Sequence, residues 1–263
     1  MTATRWNVLV LAAGRGPDDP MASAYHVSHK CLVEVGGKPM LKRVVETLLA
    51  SSEINSLTIS IESKELLASA LGPLAAKVAF LTSRESAARS ALAAIDEKAE
   101  YPWLITTGDH PLLTSEMLHY FLGAASDSRA DLCAGLAPAE TILARFPDAR
   151  RTYLTFGADR VSGCNLFALT SSSARKALAF WHDLEKVRKK PWRLIGAFGP
   201  VALLRFFTGT LTLDTAFALA SRRLGLTARP VLMPFAEAAV DVDKPADKEL
   251  AERILREREA LPA

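Results

Sequence analysis

The chain has 263 residues, with 32 Lys and Arg against 29 Asp and Glu, and 49% of it is hydrophobic. This ordinary globular usage excludes disorder and low-complexity chains, and a net charge of only +3 gives no case for a nucleic-acid binder despite a pI near 8.8. Cys31, Cys133 and Cys164 stand far apart with no CxxC between them, so neither a disulfide framework nor a zinc site is signalled and reduced thiols in the cytoplasm are expected.

The apolar stretch after Asn7 is too short for a signal-peptide core with its cleavage site. It reads instead as a first buried strand, 7–11, followed by further near-continuous apolar runs at 57–61, 78–81, 103–107 and 132–136. Between the runs, 40–51, 64–71, 86–95 and 115–125 carry apolar residues at helical spacing, with Leu41, Val44, Val45, Leu48 and Leu49 on one face of the first. Strand–helix alternation requires crossover connections, so the expected fold is α/β, a mostly parallel sheet with helices on both faces. The second half is less regular. Residues 164–169 and 228–233 read as strands, 173–189 as a helix ended by Pro191, and 212–224 as a helix stopped by Gly225. A last helix starts at Pro245. With no internal repeat and no Gly/Ser linker, one domain carrying a helical insertion at about 170–225 is expected. The most hydrophobic segment, 194–207, is broken by Gly196, Gly199, Pro200 and Arg205 and falls short of the ~20 apolar residues a spanning helix needs.

The first strand ends in Leu11-Ala12-Ala13-Gly14-Arg15-Gly16, where small residues let backbone N–H groups approach a phosphate. A dinucleotide fingerprint is excluded, because its third glycine would fall at Asp19. After a polar loop holding His26 and His29 comes Lys30-Cys31-Leu32-Val33-Glu34-Val35-Gly36-Gly37-Lys38-Pro39-Met40-Leu41. These two motifs, in this order, resemble the opening of the nucleotidyltransferase superfamily, which includes the molybdenum-cofactor guanylyl- and cytidylyltransferases. The family pattern is LAAGxGxRM followed by KxLxxVxGKPML. The position at which the family carries an arginine, two residues after the second glycine, is Asp18 here, and Arg15 is the basic residue of the loop.

The resemblance implies a Rossmann-like sheet, an NTP bound by Leu11, Ala12, Ala13, Gly14, Arg15 and Gly16, and Lys30 as a catalytic charge on the α-phosphate or departing pyrophosphate. Lys38 reads equally well as a surface residue. Asp109, in Gly108-Asp109-His110-Pro111-Leu112, follows the strand 103–107 and therefore faces the same crevice as Gly14. Its motif resembles the family's Mg²⁺ site, with Gly108 permitting close backbone approach. Ala239-Val240-Asp241-Val242-Asp243-Lys244-Pro245-Ala246-Asp247 resembles the family's DxDTPED signature. Taken as an extended stretch whose two carboxylates point to opposite sides, it offers one metal ligand, with Asp243 preferred and Asp241 the contender. Asp247 reads as a first-turn helix acid. The resemblance further places Ser90 along the nucleotide, and Gly163 and Asn165 beside the acceptor; Cys164 reads as a small core residue.

Five basic residues in 185–193, Lys186 and Lys189 among them, have three readings: a solvated helix end, a site for an acceptor phosphate, or, with the apolar 194–207, a weak contact with anionic lipid. The expected function is Mg²⁺-dependent transfer of a nucleotide from an NTP to a phosphorylated small molecule. Two alternatives stand beside it: a glycosyltransferase of related fold, and a non-catalytic nucleotide sensor.

Overall fold

The computed structural model describes residues 5–14, 19–148, 151–184 and 196–260. In chain order the strands are β1 (Trp6–Leu11), β2 (Glu34–Val35), β3 (Lys38–Pro39), β4 (Ile54–Ile61), β5 (Ala79–Thr82), β6 (Trp103–Thr107), β7 (Leu132–Pro138), β8 (Leu154–Phe156), β9 (Asp159–Leu169) and β10 (Ala228–Leu232). The main sheet has the order β10-β7-β9-β6-β1-β4-β5, with β8 paired to β9. β1 pairs in parallel with both β4 and β6, while β9 runs antiparallel between β6 and β7.

β1 is apolar nearly throughout because both of its faces are covered, the expected signature of a central parallel strand. Val8 and Val10 face one layer, which includes Met40–Ala50, Ser115–Asp127 and Pro245–Ala260. Leu9 faces the other, with Ala91, Ala94 and Ile95 of Ala87–Glu97 and Ala174 beside Arg175–Leu184. The one polar side chain in the strand, Asn7, is buried at the far end from the crevice, where its Oδ1 accepts from Asn55, Ser56 and Lys98.

The α/β reading holds, and among the described residues the segment between β9 and β10, where a helical insertion is expected, carries the helices Arg175–Leu184, Pro200–Phe207 and Leu213–Leu224. The helix Pro200–Phe207, the short helix Ala139–Arg145, and the β2–β3 and β8–β9 pairings went unread, since segments this short carry too few periods to register. The chain passes from β1 outward through β4 to β5 and returns to β6 on the opposite side of β1. That reversal makes the carboxyl ends of β1 and β6 a topological switch point, where open α/β sheets bind ligands.

Packing above this sheet is tight. Phe121 of Ser115–Asp127 is fully buried, and its ring sits so close to Gly135 of β7 that a Cβ there would lie 3.3 Å from it. Phe121→Ala should therefore cost about 3–5 kcal/mol in denaturant unfolding.

Candidate active site

Gly14 lies just past β1, and its N–H donates to Glu62 Oε1 at 2.9 Å; the other Glu62 oxygen is 2.7 Å from His29 Nε2. Ala12 is held by its N–H to the Ser60 carbonyl at 2.9 Å and by the Cys31 thiol on its own carbonyl at 3.3 Å. Leu11 lies level with Ser60 of β4 and Thr107 of β6, two hydroxyls that are buried without a hydrogen-bond partner. Ala13 is exposed beside them. Arg15, Gly16 and Asp18 lie outside the described residues.

Gly108 leaves β6 and donates to the Leu11 carbonyl at 2.9 Å. A Cβ here would lie 3.2 Å from Cys31 and Leu41 and 3.4 Å from Ala12, so glycine seats this turn against β1 without displacing those side chains. Asp109 follows, buried. The Val242 N–H donates to the Asp109 carbonyl at 3.1 Å, which docks the C-terminal signature onto the end of β6. Val240 and Val242 enter the core.

That docking corrects the orientation expected for the two aspartates. In an extended segment residues two apart share a face, so once Val240 and Val242 turn inward, Asp241 and Asp243 both turn toward the crevice. One oxygen from each of Asp109, Asp241 and Asp243 lies within 4.8 Å of the others.

Two cations hold this cluster together. Lys30, in the short helical turn Lys30–Leu32, reaches Asp109 and lies 2.6 Å from Asp243 Oδ1. Burial by itself would lower the ammonium pKa, but the charges and hydrogen bonds of Asp109 and Asp243 together raise it. Arg151 is the second cation. It pairs with Asp241, donates to Asp247 Oδ1 at 3.1 Å, and bonds the Ala239 and Asp241 carbonyls. Burial raises the Asp241 pKa, Arg151 opposes this, and the charges of Asp243 and Asp109 add to the rise. Asp247 is the expected first-turn acid: its Oδ2 accepts from the Asp243 and Lys244 N–H groups at 3.1 Å each.

The other expected residues divide. Asn165 adopts a left-handed φ of 52° in β9, and its amide donates to Asp241 Oδ2 at 3.4 Å, so it joins the cluster. Gly163 opens onto free space. Ser90 is buried in Ala87–Glu97, and its Oγ accepts the Arg84 N–H at 2.9 Å, pinning the turn after β5. Lys38 pairs with Glu46 on the surface, away from these groups. Cys164 and Cys31 are buried, and burial pushes both thiols up to about 12, so neither is a nucleophile. Lys186 and Lys189 lie outside the described residues.

Arg151 and Glu62 escaped the sequence reading. The only signal for Arg151 was indirect, a pair of acids near the last helix that must find a cation if buried.

The donor chemistry suits a hard divalent cation. All three groups are carboxylates, and Asp109 Oδ1 is a buried oxygen with no hydrogen-bond partner.

Removing Arg151 as Arg151→Met leaves Asp247, whose side chain is 7% exposed, without its guanidinium, so chemical unfolding should show a loss of about 3 kcal/mol or more. His110 gives a pH test. It is fully buried, and desolvation lowers its pKa from 6.5 to about 4 against opposing pulls from the Glu237 backbone and Asp109. The fold favours the neutral ring, while the unfolded ring takes up a proton below pH 6.5. Its contribution to stability is thus complete above that pH and declines toward pH 4, by roughly 1.4 kcal/mol per unit. Thermal unfolding of His110→Gln should show a pH slope shallower by one proton over this window.

Residues 8–189 match the family described as the MobA-like NTP transferase domain. The bifunctional protein GlmU of Neisseria meningitidis serogroup C is 32% identical over 126 residues, which is 46% of this chain but 25% of that relative's length. Among solved structures, a hypothetical transferase from Thermus thermophilus superposes with a TM-score of 0.78 at 32% identity, covering 93% of this chain and 100% of that one. The 4-diphosphocytidyl-2C-methyl-D-erythritol synthase of Anaerococcus prevotii shares the fold at a TM-score of 0.58 and 11% identity, covering 97% of this chain and 99% of that one. With the family model spanning more than half of its length, the chain belongs to the MobA-like NTP transferase family.

Proposed function

We propose that the protein is a Mg²⁺-dependent nucleotidyltransferase that joins an NTP to a phosphorylated small molecule and releases pyrophosphate. The observation that carries this reading is the convergence of Asp109, Asp241 and Asp243 at the switch point, with Lys30 against them and Gly14 across β1. Family membership supports the same reaction class.

The three aspartates are the residues that would hold Mg²⁺. When bound, the ion neutralises triphosphate charge as transfer proceeds. Lys30 is the positive charge that the chain itself brings to the phosphates, and its side chain is only 10% exposed, so water screens it little. Gly108 seats the turn that aims Asp109. Ser90 holds the turn after β5 in one arrangement beside the nucleotide. Asn165 stands on the β9 side of the cluster and orients the acceptor, with Gly163 leaving room for it.

In the transfer, an acceptor phosphate oxygen attacks the α-phosphorus. The bond from that phosphorus to the bridging oxygen breaks, and pyrophosphate takes the electron pair. A phosphate monoester is already anionic at neutral pH, so no protein nucleophile or strong base is required, in keeping with the inert thiols of Cys31 and Cys164. Catalysis then rests on positioning and electrostatics. A glycosyltransferase reading assigns roles to Asp241 and Asp243 but none to Lys30.

Pyrophosphate release, measured with Mg²⁺, each NTP and a panel of phosphorylated small molecules, tests the reading. Turnover is expected with one NTP, and nucleotide binding without release would mark a sensor. Asp109→Asn should lower turnover at least about tenfold, or ~1.4 kcal/mol of transition-state stabilisation. Asp241→Asn and Asp243→Asn should each lower it as well, because both carboxylates face the cluster. Retention of more than about a tenth of the activity by Asp109→Asn would overturn the metal assignment.

A further inference from the structure

Beside Gly14, two donors already hold an oxyanion that belongs to the chain itself. Glu62, the residue after β4, turns both carboxylate oxygens toward the end of β1: Oε1 accepts the Gly14 N–H at 2.9 Å, and Oε2 lies 2.7 Å from His29 Nε2. An ionised carboxylate only accepts, so Nε2 carries the hydrogen of that bond. The other ring nitrogen, Nδ1, lies 3.0 Å from the Ser28 hydroxyl, which donates to it in this tautomer. The ring also packs on the glycine, since a Cβ on Gly14 would fall 3.2 Å from His29 Cδ2. The imidazole is thus held in place with its side chain 13% exposed, whereas that of Glu62 is 44% exposed and has solvent to turn into.

Two convergent donors, one for each oxygen, suit a phosphate as well as a carboxylate. The Gly14 N–H has a single hydrogen and cannot serve both, and a carboxylate beside a triphosphate is repelled. His29 is also where this stretch of chain can supply a donor. Among the described residues 19–29 there is no Lys or Arg, and His26 and His29 alone can carry positive charge; His29 is the one that reaches Gly14. It immediately precedes Lys30, so one short turn carries both the imidazole beside Gly14 and the ammonium against Asp109 and Asp243. Burial raises the pKa of the next residue's thiol, Cys31, and the charges of Asp109 and Glu62 add to the rise, so both carboxylates lie around this turn.

We infer, on the strength of the nucleotidyl-transfer reading above, that the Gly14 N–H and His29 Nε2 form a two-donor cradle for one phosphate of the NTP, and that Glu62 is an internal stand-in which the nucleotide displaces. As the phosphate enters, Glu62 turns out to water and the two hydrogen bonds pass from carboxylate to phosphate oxygens. Lys30, one residue on, meets a neighbouring phosphate. His29 is thereby a nucleotide-binding residue, and Glu62 sets the affinity by competing for its place.

Calorimetric titration of the full chain with Mg²⁺ and each NTP, repeated with inorganic tripolyphosphate, tests this in a double-mutant cycle. His29→Ala should weaken both ligands about tenfold or more, the loss of one hydrogen bond to a charged group. His29→Gln, whose amide donates from nearly the same position, should recover part of that loss. Glu62→Ala should tighten both ligands at least about threefold, because the competing charge is gone. In the Glu62→Ala background, His29→Ala should still cost about tenfold; a histidine whose sole task is to restrain Glu62 would have no effect there. Wild-type unfolding temperatures in these variants exclude loss of the fold as the cause. Weaker binding by Glu62→Ala, or a silent His29→Ala in either background, overturns the cradle. If pyrophosphate release persists while neither change alters NTP affinity, the cradle alone is wrong and the transfer reading stands. If tripolyphosphate binding follows the cycle but no NTP yields pyrophosphate, the transfer reading falls and the cradle stands. A wild type that binds neither ligand overturns both.

Discussion

Three carboxylates held within 4.8 Å of one another repel, and at an effective dielectric near 20 each pair costs roughly 3.5 kcal/mol. The architecture around the crevice answers that repulsion. Lys30 enters from the N-terminal segment and bridges Asp109 and Asp243, while Arg151 enters from beyond Ala139–Arg145 and bridges Asp241 and Asp247. A single backbone bond, Val242 to Asp109, with Val240 and Val242 buried on either side of Asp241, keeps the C-terminal signature from being pushed away. The arrangement leaves more negative than positive charge at the cluster, a balance suited to a divalent cation accompanied by a triphosphate.

The sheet determines which groups can reach the cluster. Reversal of strand order at β1 brings Gly14 and Asp109 together, although 94 residues of chain separate their positions. The antiparallel β9 then inserts beside β6, and the left-handed backbone at Asn165 aims its amide at Asp241. In the proposed reading, the elements that face the nucleotide and the acceptor thus come from opposite sides of β6, on β1 and β9. That layout suits an in-line displacement, in which the attacking and leaving oxygens lie on opposite sides of phosphorus.

The insertion obeys a different constraint. Its helices carry little of the buried core: Ala202 and Leu213 are buried, while Val201, Leu204 and Phe207 face outward. An apolar face this exposed on a short helix is costly unless something covers it.

Near-continuous apolar runs made β1, β4, β5, β6 and β7 legible, and in the central strands β1 and β6 the run reflects burial on both faces, which needs no polar alternation. Lys30 and Asp109 were legible from the motifs around them. Their pairing was not, nor was the shared orientation of Asp241 and Asp243, which follows from the burial of Val240 and Val242. Arg151 left no local trace, since its partner Asp241 lies 90 residues away and long-range ion pairs have no sequence period. The amino-acid sequence by itself therefore determined the α/β class, the strand ends that carry the site, and the residue types available there. Only the tertiary structure decided which acids converge and which cations hold them, because electrostatic balance is set by distance in space and not along the chain.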